Sequence, residues 1–154
     1  MDKIAPKITP FLWFDNQAEP AAEFYVSIFA NSRITHVGRA GGAVQTVSFE
    51  IDGQRLTALN GGPHYRINEA ISFFVNCESQ AEVDFFWEKF AEGGKELQCG
   101  WITDRFGVTW QVVPSALPGW LQDPDPARAR RVAQVMFGMK KLDIARLEAA
   151  HRDA

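Results

Sequence analysis

The strongest restriction on the fold of this chain is an internal repeat. A shift of 62 residues places Phe73 on Phe11 and Phe86 on Phe24 without a gap. In each copy, an apolar strand precedes a helix whose apolar residues recur at i, i+3, i+4, i+7 and i+8, the spacing of one helix face. One copy of such a unit leaves an apolar face uncovered, so repeats pack against one another. We therefore predict two related modules.

Each module is predicted to contain one strand, one helix and three further strands, and the two can join as a curved mixed sheet around a ligand-sized cup. Asp52-Gly53 is typical of a hairpin turn in the first module. Ser79 and Glu82 match a capping box at the start of the second helix. The predicted boundaries are residues 7–62 and 69–114 for the two modules, and 7–124 for the domain that they form.

A helical extension of this domain is predicted at residues 125–151. Asp125 and Pro126 have the residue types of an N-cap and a first helical position. Four apolar residues then recur at helical spacing: Val132, Val135, Met136 and Met139. We expect this apolar tail to contribute to a homodimer.

Composition excludes several classes of protein. The 154 residues are 46% hydrophobic and carry a net charge of −3, which favours a globular core and disfavours a nucleic-acid or anionic-membrane partner. Cys77 and Cys99 are too few for a disulfide scaffold, so we expect reduced thiols and a cytoplasmic location. No signal peptide is expected in the first residues, and no apolar run approaches the roughly 20 residues that span a bilayer.

Several motifs together resemble one family. They are Ile8–Phe14, Ala22–Tyr25, Leu59–Pro63, Ala70–Phe73, Gln98–Trp101, Asp104–Pro114 and Met139–Ile144. The chain resembles the PhnB-like, demethylubiquinone methyltransferase-like family of the glyoxalase/bleomycin-resistance, or vicinal-oxygen-chelate, superfamily. The resemblance implies an α+β fold of two βαβββ modules with C-terminal helices, a homodimer and a small-molecule ligand.

The methyltransferase activity in that family label has little support in these residues. A Rossmann-type methyltransferase has a glycine-rich turn between a strand and a helix. Gly61-Gly62-Pro63 instead lies between two strand-like segments. We therefore keep methyl transfer as the weakest functional hypothesis.

A metal site and other cofactors are not expected. The positions that hold metal ligands in metal-dependent members of the superfamily correspond here to Ile8, Ala58, Ala70 and Gln111. Isoleucine and alanine side chains have no electron pairs to donate to a metal. The three histidines lie outside these positions, at 36, 64 and 151.

The predicted cup is mostly apolar, with a few amides and hydroxyls that suit a small organic ligand. The candidate ligand-binding residues are Leu12, Asn60, Ser72, Phe74, Thr109 and Gln111. A buried amide needs hydrogen-bond partners, so Gln111 is the most pointed candidate, although a structural amide fits equally well. Asn60 also fits a plain turn residue.

Two residues are weak candidates for acid–base catalysis. Histidine is the residue type most often used for proton transfer, which makes His64 one candidate, and Asp104, which precedes the last hairpin, is the other. Their alternatives are an exposed loop histidine and a turn-capping aspartate. The sequence therefore favours a metal-free ligand-binding protein, with a metal-independent enzyme acting on a small carbonyl, quinone or phosphonate-like compound as the alternative. Whether the protein is an enzyme stays open at this point.

Overall fold

The computed structural model describes residues 6–153. The chain divides into two compact units, the first ending at Ile67 and the second beginning at Asn68. This division falls between the two predicted modules. No helix in the described part of the chain has the length and apolar character needed to cross a membrane.

The elements follow one another in the same order in both units. The first unit contains β1 (Phe11–Phe14), α1 (Ala18–Ile28), β2 (Arg33–Ala40), β3 (Ala43–Ile51) and β4 (Gln54–Asn60). The second contains β5 (Ser72–Cys77), α2 (Gln80–Ala91), β6 (Lys95–Glu96), β7 (Trp101–Thr103) and β8 (Thr109–Pro114). Three helices complete the second unit: α3 (Leu117–Leu121), α4 (Pro126–Phe137) and α5 (Ile144–Arg152).

The predicted mixed α+β class is confirmed. The strands form two four-stranded sheets, one in each unit, where the repeat had suggested one curved sheet. Their orders are β1-β4-β3-β2 and β5-β8-β7-β6. In each sheet the first strand lies parallel to the last, and the remaining pairs are antiparallel.

One face of the first sheet packs against α1. Tyr25 of α1 stacks on Phe49 of β3, with ring centroids 6.2 Å apart. Strand pairing places Leu12, Ala58 and Val47 side by side on this same face, where all three are buried. The predicted register, which put Leu12 on the uncovered face, is therefore wrong by one residue. All four residues of β1 are apolar, so no polar side chain marks the solvent side.

The second sheet packs against α2 through aromatic rings. Phe90 of α2 stacks on Trp110 of β8 with ring centroids 4.6 Å apart and planes 15° from parallel. The predicted capping residues start α2: Ser79 Oγ accepts a hydrogen bond from the Glu82 N–H at 3.2 Å. The Glu82 carboxylate in turn accepts from the Glu78 N–H at 2.9 Å. Two helix-terminal donors are thereby satisfied.

The C-terminal helices build a core of their own on the end of β8. The buried residues of this cluster are Val113, Leu117, Val132, Met139, Leu142 and Leu147. Val135 and Met136 of the predicted apolar stripe pack against the cluster half-buried. This stripe is therefore largely used within the chain, because α3 and α5 cover it.

A segment between α4 and α5, which we call the C-terminal strap (residues 139–144), is held by backbone bonds. The carbonyls of Met139 and Lys140 accept hydrogen bonds from the N–H groups of Cys99 and Gly100, both at 2.8 Å. The Gln80 side chain donates to the Leu142 carbonyl at 3.1 Å and accepts from the Ile144 N–H at 2.8 Å. The strap thus joins α2 to the turn before β7.

Candidate functional site

A cavity of about 280 Å³ lies within the second unit, between the sheet and helices α3 and α4. Its lining is formed by Phe74, Cys99, Trp101, Gln111, Val113, Leu117, Pro118, Leu121, Gln122 and Met136. Most of these side chains are apolar, and the polar ones are two amides and a thiol. None of the described residues that line this cavity carries a formal charge.

Gln111 stands at the centre of the sheet wall of the cavity. It is paired with Phe74 on β5 and with Trp101 on β7, so that the three side chains share one face of the sheet. The Gln111 Nε2 donates a hydrogen bond to Ser72 Oγ at 3.0 Å. This bond orients the amide and directs one of its N–H groups away from any ligand.

The hydroxyls of Ser72 and Thr109 support this wall from the same face. Ser72 and Thr109 are paired across β5 and β8, and the Thr109 Oγ1 lies 3.0 Å from the Thr103 Oγ1. Thr109 is fully buried. The predicted residues Phe74 and Gln111 therefore line the cavity, Ser72 holds Gln111, and Thr109 bonds within the sheet.

The turn at Cys99 and Gly100 forms the end of the cavity next to the strap. Both residues have positive φ, +59° for Cys99 and +82° for Gly100. A Cβ on Gly100 would lie 2.9 Å from the Leu142 Cδ1 and 3.0 Å from the Val112 carbonyl oxygen, so a larger residue does not fit. Burial raises the pKa of the Cys99 thiol, which favours the neutral form in this wall.

Asn60 has a structural role in the first unit. Its Oδ1 accepts from the Ala18 N–H at 2.8 Å, which caps the start of α1, and its Nδ2 donates to the Val44 carbonyl at 3.1 Å. The adjacent Gly61 leaves room for the Trp13 ring, which would lie 2.4 Å from a Cβ at that position. The Asn-Gly-Gly motif is thus explained by packing and capping.

Asp104 is buried and serves the turn before β8. Its Oδ1 accepts from the N–H groups of Phe106 at 2.8 Å and Val108 at 3.1 Å, and its Oδ2 accepts from the Trp110 Nε1 at 2.9 Å. A carboxylate fixed by these donors holds a loop and a core indole in place. Asp104 is not among the residues that line the cavity.

The histidines are distributed over separate places. His64 is exposed in the segment after β4, and His36 is exposed on β2. His151 on α5 lies 2.7 Å from the Asp123 carboxylate and stacks on Trp120. Hydrogen bonds from the Asp125 backbone N–H and, to a smaller extent, from His151 lower the pKa of Asp123.

The residues present do not fit a metal site. Ile8 is 84% exposed and Ala70 is exposed, whereas Ala58 is fully buried on the side of α1. Gln111 is the one position of the expected set with a donor atom. In the described range 6–153, no three His, Cys, Asp or Glu side chains come together as a metal-binding group.

A second, more open depression of about 520 Å³ lies in the first unit beside the start of α1. It is lined by Asn16, Glu19, Pro20, Glu23, Ala43, Val44 and Asn60. Two glutamates one helical turn apart make its wall acidic. The sequence did not predict this depression.

Sequence reasoning also missed half of the main cavity. The residues of α3 that line it are Leu117, Pro118 and Leu121, and this helix begins with Leu117-Pro118-Gly119, a run that is more typical of a loop. Trp101 could have been predicted as a wall residue, because it lies on the strand that pairs with the strand carrying Gln111. Cys99 was predicted to be a reduced thiol and was not assigned to any site.

Comparison with known proteins gives one family and several related folds. Residues 6–113 match the family described as 3-demethylubiquinone-9 3-methyltransferase. No curated protein matches the chain. A putative 3-demethylubiquinone-9 3-methyltransferase, a PhnB protein from Bacillus cereus, is 31% identical with a TM-score of 0.65, over 69% of this chain and 97% of that one.

Two further solved structures share the fold at lower identity. A protein from Pseudomonas aeruginosa is 22% identical with a TM-score of 0.58, over 69% of this chain and 95% of its own. The fosfomycin resistance protein FosX from Listeria monocytogenes, solved with Mn(II) and a sulfate ion, is 16% identical with a TM-score of 0.55. That match covers 78% of this chain and 98% of FosX.

Proposed function

This chain belongs to the PhnB-like family described as 3-demethylubiquinone-9 3-methyltransferase, and from that premise we propose that it binds a small organic molecule in the cavity of its second unit, without a metal ion. The observation that carries the proposal is the composition of that cavity. Apolar walls around a small number of oriented polar groups are the usual form of a small-molecule site.

Two of the three polar residues of the cavity, Gln111 and Cys99, are held in place before any ligand binds. Gln111 is fixed by Ser72, and the Cys99-Gly100 turn is fixed by the strap. A preformed site loses little conformational entropy on binding, which favours affinity. This supports specific binding over a general affinity for apolar molecules.

Metal-free binding is supported by the chemistry of the side chains. The FosX protein was solved with Mn(II), and at 16% identity its likeness concerns the fold alone. In the present chain, a single neutral amide, Gln111, stands where a set of ligands would be needed. Elemental analysis of purified protein is expected to find no stoichiometric zinc, manganese, nickel or iron. Retained metal whose removal abolished ligand binding would contradict the proposal.

The enzyme hypothesis loses its acid–base candidates. The Asp104 carboxylate accepts hydrogen bonds from its own turn and from Trp110, and His64 is exposed in the first unit. General acid–base catalysis requires a side chain within reach of the reacting atom. Gln111 remains as a group that orients a ligand, a role that does not require turnover.

Methyl transfer is also disfavoured. S-adenosylmethionine carries a sulfonium, an ammonium and a carboxylate, and the lining of the cavity offers no charged partner for them. Calorimetry with S-adenosylmethionine at high protein concentration is expected to give no heat of binding. A saturable binding curve would revive the activity named in the family description.

A blocking variant tests the location of the site. Leu121→Trp places an indole ring at a half-buried position of the cavity wall. The control, Phe137→Trp, introduces the same ring at a 65% exposed position on α4. Ligand-observed NMR with a library of small aromatic fragments should detect binders of the wild type and of Phe137→Trp. The same fragments should lose their signal with Leu121→Trp. Equal binding by all three proteins would place the site elsewhere.

We also propose a cytoplasmic homodimer. Phe11, Tyr65, Ile71 and Phe137 are large apolar residues that are more than half exposed, so each is available for contact with a second copy of the chain. Both cysteines are free, as is usual in a reducing compartment. Sedimentation at micromolar concentration is expected to give twice the chain mass of 17.3 kDa. A single species at the chain mass would refute the dimer.

A further inference from the structure

The cavity of the second unit carries an inference about the class of its ligand. The inference rests on the proposed function, because it concerns the same site. Three properties of the wall are used: its charge, its size and the hydrogen-bonding state of Gln111.

The charge of the wall favours a neutral ligand. The described lining residues contain no acidic or basic side chain, and the Cys99 thiol is driven toward its neutral form by burial. Transfer of an anion or a cation from water into such a wall is unfavourable without a charged partner. Phosphonates and carboxylates are therefore disfavoured.

The size and shape of the cavity favour a flat molecule of about two fused rings. An apolar cavity of roughly 150 Å³ holds one benzene molecule, and this cavity has about 280 Å³. Phe74 and Trp101 lie on either side of Gln111 on the sheet wall, and Leu117, Leu121 and Met136 belong to the helical side. Aromatic walls of this kind pack well against another ring.

The hydrogen bond of Gln111 determines which polar group the ligand should carry. Its Nε2 donates one of its two N–H groups to Ser72 Oγ at 3.0 Å, so the carbonyl oxygen and a second N–H remain for a ligand. The carbonyl end has two lone pairs and is the acceptor that the amide presents. Gln111 is half-buried, and a ligand that covers its carbonyl oxygen should offer an O–H or N–H there, because an ether or ketone oxygen leaves this acceptor without a partner.

We infer that the cavity selects neutral bicyclic aromatic compounds that carry a hydroxyl group, with Gln111 accepting the hydrogen bond from that hydroxyl. Phenols and hydroquinones meet this description. A quinone or ketone offers no donor to the Gln111 carbonyl oxygen, and a phosphonate carries a charge. Gln111 is then the residue that sets specificity for the hydroxyl, and Ser72 is the residue that positions Gln111.

A matched series of ligands tests this inference by calorimetry or ligand-observed NMR. The probes are naphthalene, 2-naphthol, 2-methoxynaphthalene and 2-naphthoate, which share one ring system. We expect 2-naphthol to bind about 3- to 10-fold more tightly than 2-methoxynaphthalene, the range of one net hydrogen bond. We expect 2-naphthoate to bind more weakly than either.

Two variants assign the preference to the amide. Gln111→Leu should bring the ratio of the two affinities close to 1 while naphthalene still binds. Ser72→Ala releases the amide, so the ratio should fall although Gln111 is present. Circular dichroism and thermal melting identify any variant that fails to fold, and the other variant then decides.

The failures of the two proposals are distinguishable. If none of the four probes binds, the proposed binding function is contradicted together with the inference. If naphthalene and 2-methoxynaphthalene bind as tightly as 2-naphthol, the site exists and the hydroxyl preference is refuted. Tighter binding of 2-naphthoate would likewise refute the neutral-ligand argument while leaving a binding protein.

Discussion

Replacing Asp104 with asparagine is expected to destabilise the second unit by about 1.5–3 kcal/mol, the range for a hydrogen bond to a charged group. The carboxylate accepts two backbone N–H groups on Oδ1 and the Trp110 indole on Oδ2. An asparagine has a single acceptor oxygen, so its amide nitrogen must face a donor. If the amide nitrogen takes the place of Oδ2, it faces the Trp110 Nε1 donor at about 2.9 Å. If it takes the place of Oδ1, the N–H groups of Phe106 and Val108 both lose their acceptor.

Urea unfolding followed by tryptophan fluorescence measures this change. Asp52→Asn is the matched control, because Asp52 is exposed and has a φ of +48°, a conformation that asparagine tolerates. We expect this control to stay within about 0.5 kcal/mol of wild type, as surface substitutions usually do.

A double-mutant cycle isolates the indole bond. In a Trp110→Phe background the indole N–H is absent, so the amide of Asp104→Asn no longer faces it. The loss of unfolding free energy caused by Asp104→Asn should therefore fall by about 1 kcal/mol or more. Additive effects of the two substitutions would refute the assigned hydrogen bond. A loss of ligand binding at unchanged stability would instead indicate a functional role for Asp104.

The other predictions concern the strap, the thiols and acid stability. Gln80→Ala removes two hydrogen bonds to the strap and should lower the free energy of unfolding by about 1–2 kcal/mol. The control is Gln134→Ala, on the exposed part of α4. Equal losses of stability in the two variants would contradict the role of the strap. Burial raises the pKa of Cys77 to about 12, so iodoacetamide at pH 8 should leave native Cys77 unlabelled and label it after unfolding. Cys99 is only half-buried and should react slowly in the native protein; equal rates for Cys77 before and after unfolding would be inconsistent with this. The pKa of Asp123 is lowered below its ordinary 3.8, so its stabilising effect is present above that pH and is lost as pH falls through the lower folded value. Thermal melting between about pH 5 and 2.5 should therefore fall more steeply for wild type than for Asp123→Asn, and parallel curves would disprove the contribution.

Prediction from the sequence succeeded where polar and apolar residues alternate. On β5 and β8 the polar residues Ser72 and Gln111 mark one face, and Phe74 was placed correctly with them on that face. On β1 no such alternation exists, and the register of Leu12 was missed. Local periodicity carries information about a face only when the two sides differ in polarity.

The helical side of the cavity could not be predicted, for a different reason. Helix α3 contains proline and glycine, whose local preferences favour a loop, and it is stabilised by contacts with residues far along the chain. The same holds for the Cys99-Gly100 turn, whose partners are forty residues away on the strap. Long-range partners of this kind leave no periodic pattern in a single sequence.

Two of the motifs by which the chain resembles the family have a structural explanation. The Asn60-Gly61-Gly62 segment caps α1 and accommodates Trp13, and Asp104 holds the last turn. These motif residues thus specify the fold.

The C-terminal strap has a consequence for synthesis on the ribosome. Chains emerge from the N-terminus, and units fold as they become complete. All strands of the first unit are available once Asn60 has emerged, but the turn at Cys99 and Gly100 gains its partners only after the strap has been translated. These two backbone N–H groups therefore lack their partners until the last tenth of the chain is translated. A stop codon between β8 and the strap would leave a complete first unit joined to a second unit in which this turn has no partner from the strap.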